Sequence, residues 1–395
     1  MPLTLAFGSC HRLHPGLEEQ NLLSHISSQN PYAYLWLGDA VYADKRNNDI
    51  EGLREAYDTM LSYPPYSKLL KQVRGRIYGT WDDHDYGLND AGKYLDDKES
   101  RKLLYLNFLN VNSDDVRRNR DGVYHTINIK ENRENVKVIF LDTRTFRENH
   151  YIPSVGGIPF PLSPVIAAFS RFLVKMLGLG SNFTGDVLGE EQWEWLESEL
   201  VHDGGVNIIV SSIQVLTTNP LVESWGHFPK EKRKFLELLD SSKTKTIVLS
   251  GDVHHAEFSK VGDVVEITSS GLTHSCSGPF YGFVCDIMLR TFEQHRLEGF
   301  YWVKENFGVL RIQEGEVGVE VYDGEGNVVG ETRVGEREGG IVWEEVPQLL
   351  DGRVSWNFVG FVGGLLLVAV VMLRILIGFV GRWRKKKKNS KKKIS

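Results

Sequence analysis

The stretch YGTWDDHDYGLND, Tyr78–Asp90, crowds Asp82, Asp83, Asp85, Asp90 and His84 behind an apolar run. Buried like charges repel, so a fold gathers them only around a balancing positive charge. Two further aspartates, Asp39 in GDAVYAD and Asp252 in GDVHHAEF, each follow a glycine. A glycine lets the backbone turn tightly and approach an ion closely, and an aspartate there can bridge two cations. Asn89 adds a neutral amide oxygen. Such oxygen-rich sets suit calcium, magnesium or manganese. Cys10 and Tyr42 suit a ferric ion better, because a thiol and a phenol ionise near neutral pH only beside a strong cation. Singly, each has an ordinary reading. Cys10 and Tyr42 pass as core residues, His227 and His255 as structural or solvent-facing, and Asp44, Asp85 and Asp90 as surface, capping or supporting groups.

The elements that must position these residues are apolar runs that stop abruptly at polar groups. They are LTLAFGSCHR, YAYLWLGDAVYAD, RIYGTWDDHD, VKVIFLDTRTFR, VNIIVSSIQV, KTIVLSGDVHH and DVVEITSSG. Continuous runs of this length predict strands buried on both faces. LGEEQWEWLESEL and KEKRKFLELLDSS predict amphipathic helices. Alternation of the two predicts an α/β sandwich, with ligands beyond the carboxyl ends of the strands. Cys10, Asp39, Asp83, Asp252 and His254 all fall there. A strand pair or meander is expected from Phe307. The helix in VIAAFSRFLVKMLGLG fits a lid, a packing element or a membrane-surface helix.

Taken together, FGSCHR, WLGDAVYAD, TWDDHDYGLND, FLDTRTFR, LGEEQWEWLESEL, IVLSGDVHHAEF and NFGVLRI resemble the PhoD-like alkaline phosphatases, within the metallophosphatase superfamily. They run in family order over most of residues 1–330. The resemblance implies an α/β fold, a metallophosphatase-type β-sandwich flanked by helices, that hydrolyses phosphate mono- or diesters with iron and calcium. It implies iron on Cys10, Asp39, Tyr42 and His254, and calcium near Asp39, Asn89 and Asp252, with Asp83 and His84 in the matching loop. Attack by a metal-bound hydroxide would follow, with His84 as acid for the leaving group. Arg144 would face phosphate, for which a guanidinium is suited. Trp225 would lie near the substrate.

A different ending follows the phosphatase-like part. From Phe358 to Val380 the chain is apolar except for Arg374, is flanked by Trp356 and Trp383, and leads into RWRKKKKNSKKKIS. This predicts a transmembrane helix over 356–381, after a juxtamembrane stalk over 331–355, with a basic cytosolic tail over 382–395. Lys392 and Lys393 resemble the dilysine signal read by the retrieval machinery of the endoplasmic reticulum. The expectation is a single-pass protein of that membrane with its catalytic domain in the lumen, where Asn182-Phe183-Thr184 is a glycosylation acceptor. MPLTLAFGSC reads as a strand and not a signal peptide, so a leader would lie upstream. A domain left in the cytosol would force the lysines across the bilayer.

The net charge of -6 despite that tail makes the body acidic and argues against a nucleic-acid partner. Of the three cysteines, Cys276 and Cys285 are close enough to pair, or to remain two buried thiols. Two rival functions stand beside the phosphatase. A cysteine hydrolase would use Cys10 and His11, but Gly16 occupies the position where a phosphate loop carries arginine. A membrane-anchored binding protein would keep the fold without turnover.

Overall fold

The computed structural model describes residues 1–13, 21–43, 49–158, 162–200, 205–242, 244–278, 281–292, 295–335, 340–341, 343, 363–364 and 374. The first half alternates strands and helices: β1 (Leu3–Gly8), α1 (Leu22–Ser28), β2 (Ala33–Leu37), α2 (Ile50–Ser62), α3 (Pro64–Gln72), β3 (Ile77–Thr80), the single turn α4 (Asp83–Tyr86) and α5 (Lys98–Phe108). Next come β4 (His125–Glu131), β5 (Glu134–Phe140), α6 (Ser163–Met176), α7 (Gly189–Leu200), β6 (Val206–Ser211), α8 (Pro229–Ser241) and β7 (Lys245–Ser250). The last part holds β8 (Ala256–Val261), β9 (Val264–Ser269), α9 (Tyr281–Phe292), β10 (Arg296–Trp302), β11 (Asn306–Gln313), β12 (Glu316–Asp323) and β13 (Val328–Val334).

Two mixed sheets result, ordered β13-β12-β11-β1-β2-β3 and β10-β8-β9-β7-β6-β5-β4. The seven apolar runs form the parallel strands: β1, β2 and β3 in one sheet, and β5, β6, β7 and β9 in the other. Alternation along each strand then fills three layers. Leu3, Leu5 and Phe7 of β1 face Val138, Phe140 and Ile208 of the other sheet and form the central core. Ala6, Tyr34 and Trp36 point outward beneath α1, α2, α3 and α5. Ile139, Ile209 and Val248 point outward on the other side beneath α7 and α8. The order helix, sheet, sheet, helix is the expected sandwich, and it brings the carboxyl ends of both parallel sets to one edge.

The meander expected near Phe307 is β11, β12 and β13, and it joins the sheet through Leu5 opposite Leu310. The expected domain boundary at 330 falls inside β13. Part of the expected stalk also packs on the body. Ile341 is buried in the layer beneath α8, its N–H donates to Asp240 at 2.8 Å, and Arg233 lies over the Trp343 ring at 5.3 Å. Cys276 and Cys285 take the paired alternative, a disulfide with Cα atoms 6.2 Å apart. Among the described residues no helix is long and apolar enough to cross a membrane. Of the span expected over 356–381 only Gly363, Gly364 and Arg374 are described, and the tail after it lies outside the described residues.

Candidate metal centre

Four strand ends, those of β1, β2, β3 and β7, meet in contact because two glycines allow it. Gly38 has φ of +102°, and a Cβ there would lie 2.5 Å from Asp82 Cβ. A Cβ on Gly251 would lie 2.6 Å from Ser9 Oγ and 2.7 Å from Leu37 O. The residues just beyond adopt the left-handed region as well: Cys10 (φ 59°), Asp39 (50°), Asp90 (58°), Asp252 (71°) and His254 (60°). Non-glycine residues hold this conformation at a cost, and such strain gathers where function over-determines the backbone.

The acidic side chains arrive from the ends of three strands. Asp39 follows β2, Asp82 and Asp83 follow β3, and Asp252 follows β7. Carboxylate oxygens of these four lie within 4.8 Å of one another, as do ligand atoms of Asp39, Asp83 and His84, and of Asp83, Asp90 and Glu223. On the β1 side, Tyr42 donates to Asp39 Oδ2 at 2.8 Å, and Cys10 Sγ lies 3.7 Å from the same oxygen. Asp39 Oδ1 accepts the His84 N–H at 3.1 Å. The His254 ring is held by Nδ1 against His274 O at 2.8 Å, and the backbone N–H of His254 donates to Ser270 Oγ, which lies 3.1 Å from Cys10 Sγ. The His254, His274, Tyr42 and His84 rings follow one another at centroid spacings of 4.3, 5.0 and 4.0 Å.

A second set holds the first in place. Asp85 accepts from the N–H groups of Ala40 (3.1 Å), Val41 (3.4 Å) and Asp82 (3.2 Å), tying the loop after β2 to the start of α4. This carboxylate is a buried cap. Asp90 donates its N–H to Asp83 Oδ2 at 2.8 Å, and its carboxylate takes the Ser154 hydroxyl and Arg171 Nη1. His227 and His255 are buried, with ring nitrogens against Val222 O and Val253 O.

Electrostatics state the problem that these loops pose. Asp39, Asp82, Asp83, Asp85, Asp90, Asp252 and Glu223 are seven carboxyl groups, met by the guanidinium groups of Arg144, Arg147 and Arg171. Four negative charges are left over if all ionise. Burial, then repulsion from Asp83 and Asp82, pushes the Asp39 carboxyl well up, and burial with repulsion from Asp82 and Asp83 does the same to Asp252. Burial raises Asp82 and Asp85 to about 7, against the pull of Arg144 and of backbone N–H groups respectively. Burial and the neighbouring Asp39 raise Cys10 and Tyr42. Burial lowers His254 to about 4, leaving a neutral imidazole suited to ligation. Asp82 Oδ2, Asp83 Oδ1 and His84 Nδ1 are buried without a hydrogen-bond partner. Buried polar atoms of this kind call for an explanation, and hard oxygen donors around a charge deficit of four fit two cations. A buried thiol with a raised pKa is the reverse of an activated nucleophile, and the His11 ring packs against Trp36 and Tyr63. The cysteine-hydrolase arrangement is therefore not the one formed.

Three expected site residues sit differently. Arg144 is fully buried, with Nε donating to Asp82 Oδ1 at 2.6 Å and Nη1 to Glu223 Oε2 at 2.9 Å, so carboxylates take two of the donors that a phosphate would need. Trp225 is a core residue, stacked on Phe235 at 4.8 Å and donating from Nε1 to Ser211 Oγ, because its loop turns the indole beneath α8. Asn89 is partly buried, its Nδ2 filling the space beside Gly156. Asp82, Glu223 and His274 were missed as site residues. Asp82 adjoins Asp83, and His274 follows the strand end of DVVEITSSG, so both carried the strand-end signal. Glu223 lies in a long loop and carried none.

No family model matches the chain, and no curated protein does. Among solved structures, that of PhoD superposes with a TM-score of 0.58 at 16% identity, over 86% of this chain and 73% of PhoD. GAP50, the anchor in the inner membrane complex of Plasmodium, superposes with a TM-score of 0.51 at 14% identity, over 86% of this chain and 90% of GAP50. At these identities the likeness is one of fold: two sheets and flanking helices arranged as in PhoD.

Proposed function

We propose that this protein hydrolyses phosphate esters with a pair of metal ions held where the strand ends converge. The observation that carries the reading is the gathering of Asp39, Asp82, Asp83 and Asp252 within 4.8 Å, with partnerless buried oxygens among them. One ion, iron by the resemblance, would be held by Cys10, Asp39, Tyr42 and His254. The other, calcium by the same resemblance, would take Asp39, Asp83 and Asp252, with Asn89 after a turn of its amide. Bound cations supply charge for phosphate oxygens and lower the pKa of a coordinated water.

The protein's own groups do the rest. Asp39 lies between the two donor sets and fixes their separation. The chain His254–His274–Tyr42–His84 walls the donors on one side. The His84 ring, like the other three, is partly exposed, with Nε2 3.9 Å from Asp83 Oδ1, and we assign it the proton given to a leaving alkoxide. Arg144 acts as a positioning residue that holds Asp82 and Glu223. The membrane anchor over 356–381, the lumenal placement of the domain and the dilysine retrieval of the tail belong to the same proposal. Asp39→Ala is expected to remove bound metal by elemental analysis, together with turnover of a phosphoester panel. Unchanged metal content or turnover in that variant overturns the assignment.

A second reading has one observation in its favour. The likeness to GAP50 covers 90% of a protein described as an anchor, so the fold can serve attachment. Metal binding by the parent protein without turnover of any phosphoester would favour it.

A further inference from the structure

The segment from Asn149 to Gly185 contains no aspartate or glutamate, in a chain whose net charge is -6. Its helix α6 buries Ser163, Ala167 and Val174 toward the body. On the opposite side, spaced by one helical turn, Val165, Phe169, Leu173 and Leu177 are exposed to 59, 47, 40 and 69%. Ile166 and Met176 widen this face at 46 and 43%. More than half of the exposed large apolar side chains among the described residues lie between Tyr151 and Leu179. Arg171 is largely buried against Asp90 and Lys175 is half-buried, and α9 packs beside the face through Phe172 and Phe292 while exposing Phe283. A contiguous apolar face of this kind is rare on a surface bathed only by water.

We propose that this face of α6 docks on the surface of a lipid bilayer. Three observations select lipid over other occupants. The helix is amphipathic and its segment carries no acid, so an anionic headgroup layer meets no like charge there. The sequence places an apolar run over 356–381, and the last described residue before it that packs on the body is Trp343. The twelve residues between can span at most about 43 Å, so the domain stays within roughly its own width of any bilayer that the run enters. The segment is also joined to the acidic centre. Arg171 pairs with Asp90 at 2.8 Å, and Gly156 abuts Asn89 and Asp90. Docking therefore holds the carboxylate cluster close to the membrane surface. The inference concerns location and does not rest on the proposed chemistry.

The test uses the full chain in single-copy nanodiscs of phosphatidylcholine and phosphatidylglycerol, made with ordinary or acyl-brominated lipid. Phe169→Trp adds one indole to the face, and Val116→Trp adds one at an exposed site outside it. Tryptophan fluorescence gained over the parent protein is expected to be quenched by brominated lipid about threefold more strongly at 169 than at 116. Equal quenching at the two sites overturns the proposal. So does an indole at 169 that resists aqueous acrylamide without responding to bromine, because protein then covers the face. Turnover of a water-soluble phosphoester by the same variants reports separately on the proposed chemistry.

Discussion

The carboxyl groups at the centre have opposite effects with and without cations. A carboxyl whose folded pKa stands above its unfolded value stabilises the fold at low pH and loses that contribution as pH rises through the folded pKa. Asp82 and Asp85, raised to about 7, place the loss for the metal-free protein between about pH 4 and 7. Asp252 shares the direction. Asp252→Asn is therefore expected to raise the Tm of chelator-treated protein by roughly 2–5 °C at about pH 8, and to leave it unchanged at about pH 4. The same variant binds metal less tightly. Calorimetry at the two pH values checks it, and a lower Tm at the higher pH contradicts it. Arg144 makes the complementary case. Arg144→Met leaves Asp82 buried without a guanidinium and Glu223 with Arg147 alone, and breaking a buried pair this way costs on the order of 3–5 kcal/mol. Urea unfolding of the metal-loaded protein measures it. A change below about 1 kcal/mol would mean that the guanidinium is available for substrate after all.

At the scale of elements, legibility followed burial. Strands covered on both faces must be apolar throughout, so β1, β2, β3, β5, β6, β7 and β9 were readable from composition alone. Edge strands such as β4 and β10 mix exposed and buried positions and gave no comparable run. The residues that end each strand were readable for the same reason. Their partners were not, because the meeting of Asp82 with Arg144 and of Arg144 with Glu223 is decided by loop geometry far apart in sequence. Trp225 shows the converse. A tryptophan in a glycine-bearing loop can face a cleft or the core, and only packing against Phe235 settles which. The glycine ahead of Asp39 supports a prediction of its own. Gly38→Ala meets Asp82 Cβ at 2.5 Å with a positive φ, so it is expected to abolish metal binding while the far-ultraviolet dichroism persists. Full metal content in that variant would show that the loops can part without cost.

For the whole molecule, one sheet edge collects the chemistry and one helix face collects the exposed apolar surface. Asn182, which is exposed close to α6, would report the side of the proposed membrane on which both lie. A lumenal domain is expected to carry a glycan there, removed by endoglycosidase and absent from Asn182→Gln, both visible as a mobility shift on gels. An unglycosylated chain from a secretory host would place the domain elsewhere.

The closeness of Cys10 Sγ to Ser270 Oγ spans a sequence separation of 260 residues. During synthesis the first ligands would emerge long before the last, and domains complete such distant contacts only once the chain between them has been made. Until β7 and β9 have joined their sheet, Asp39 and Asp83 have no companions from Asp252 or His254. On the proposed reading, metal loading would be a late event, and the ions first taken up would be those of the compartment where folding finishes.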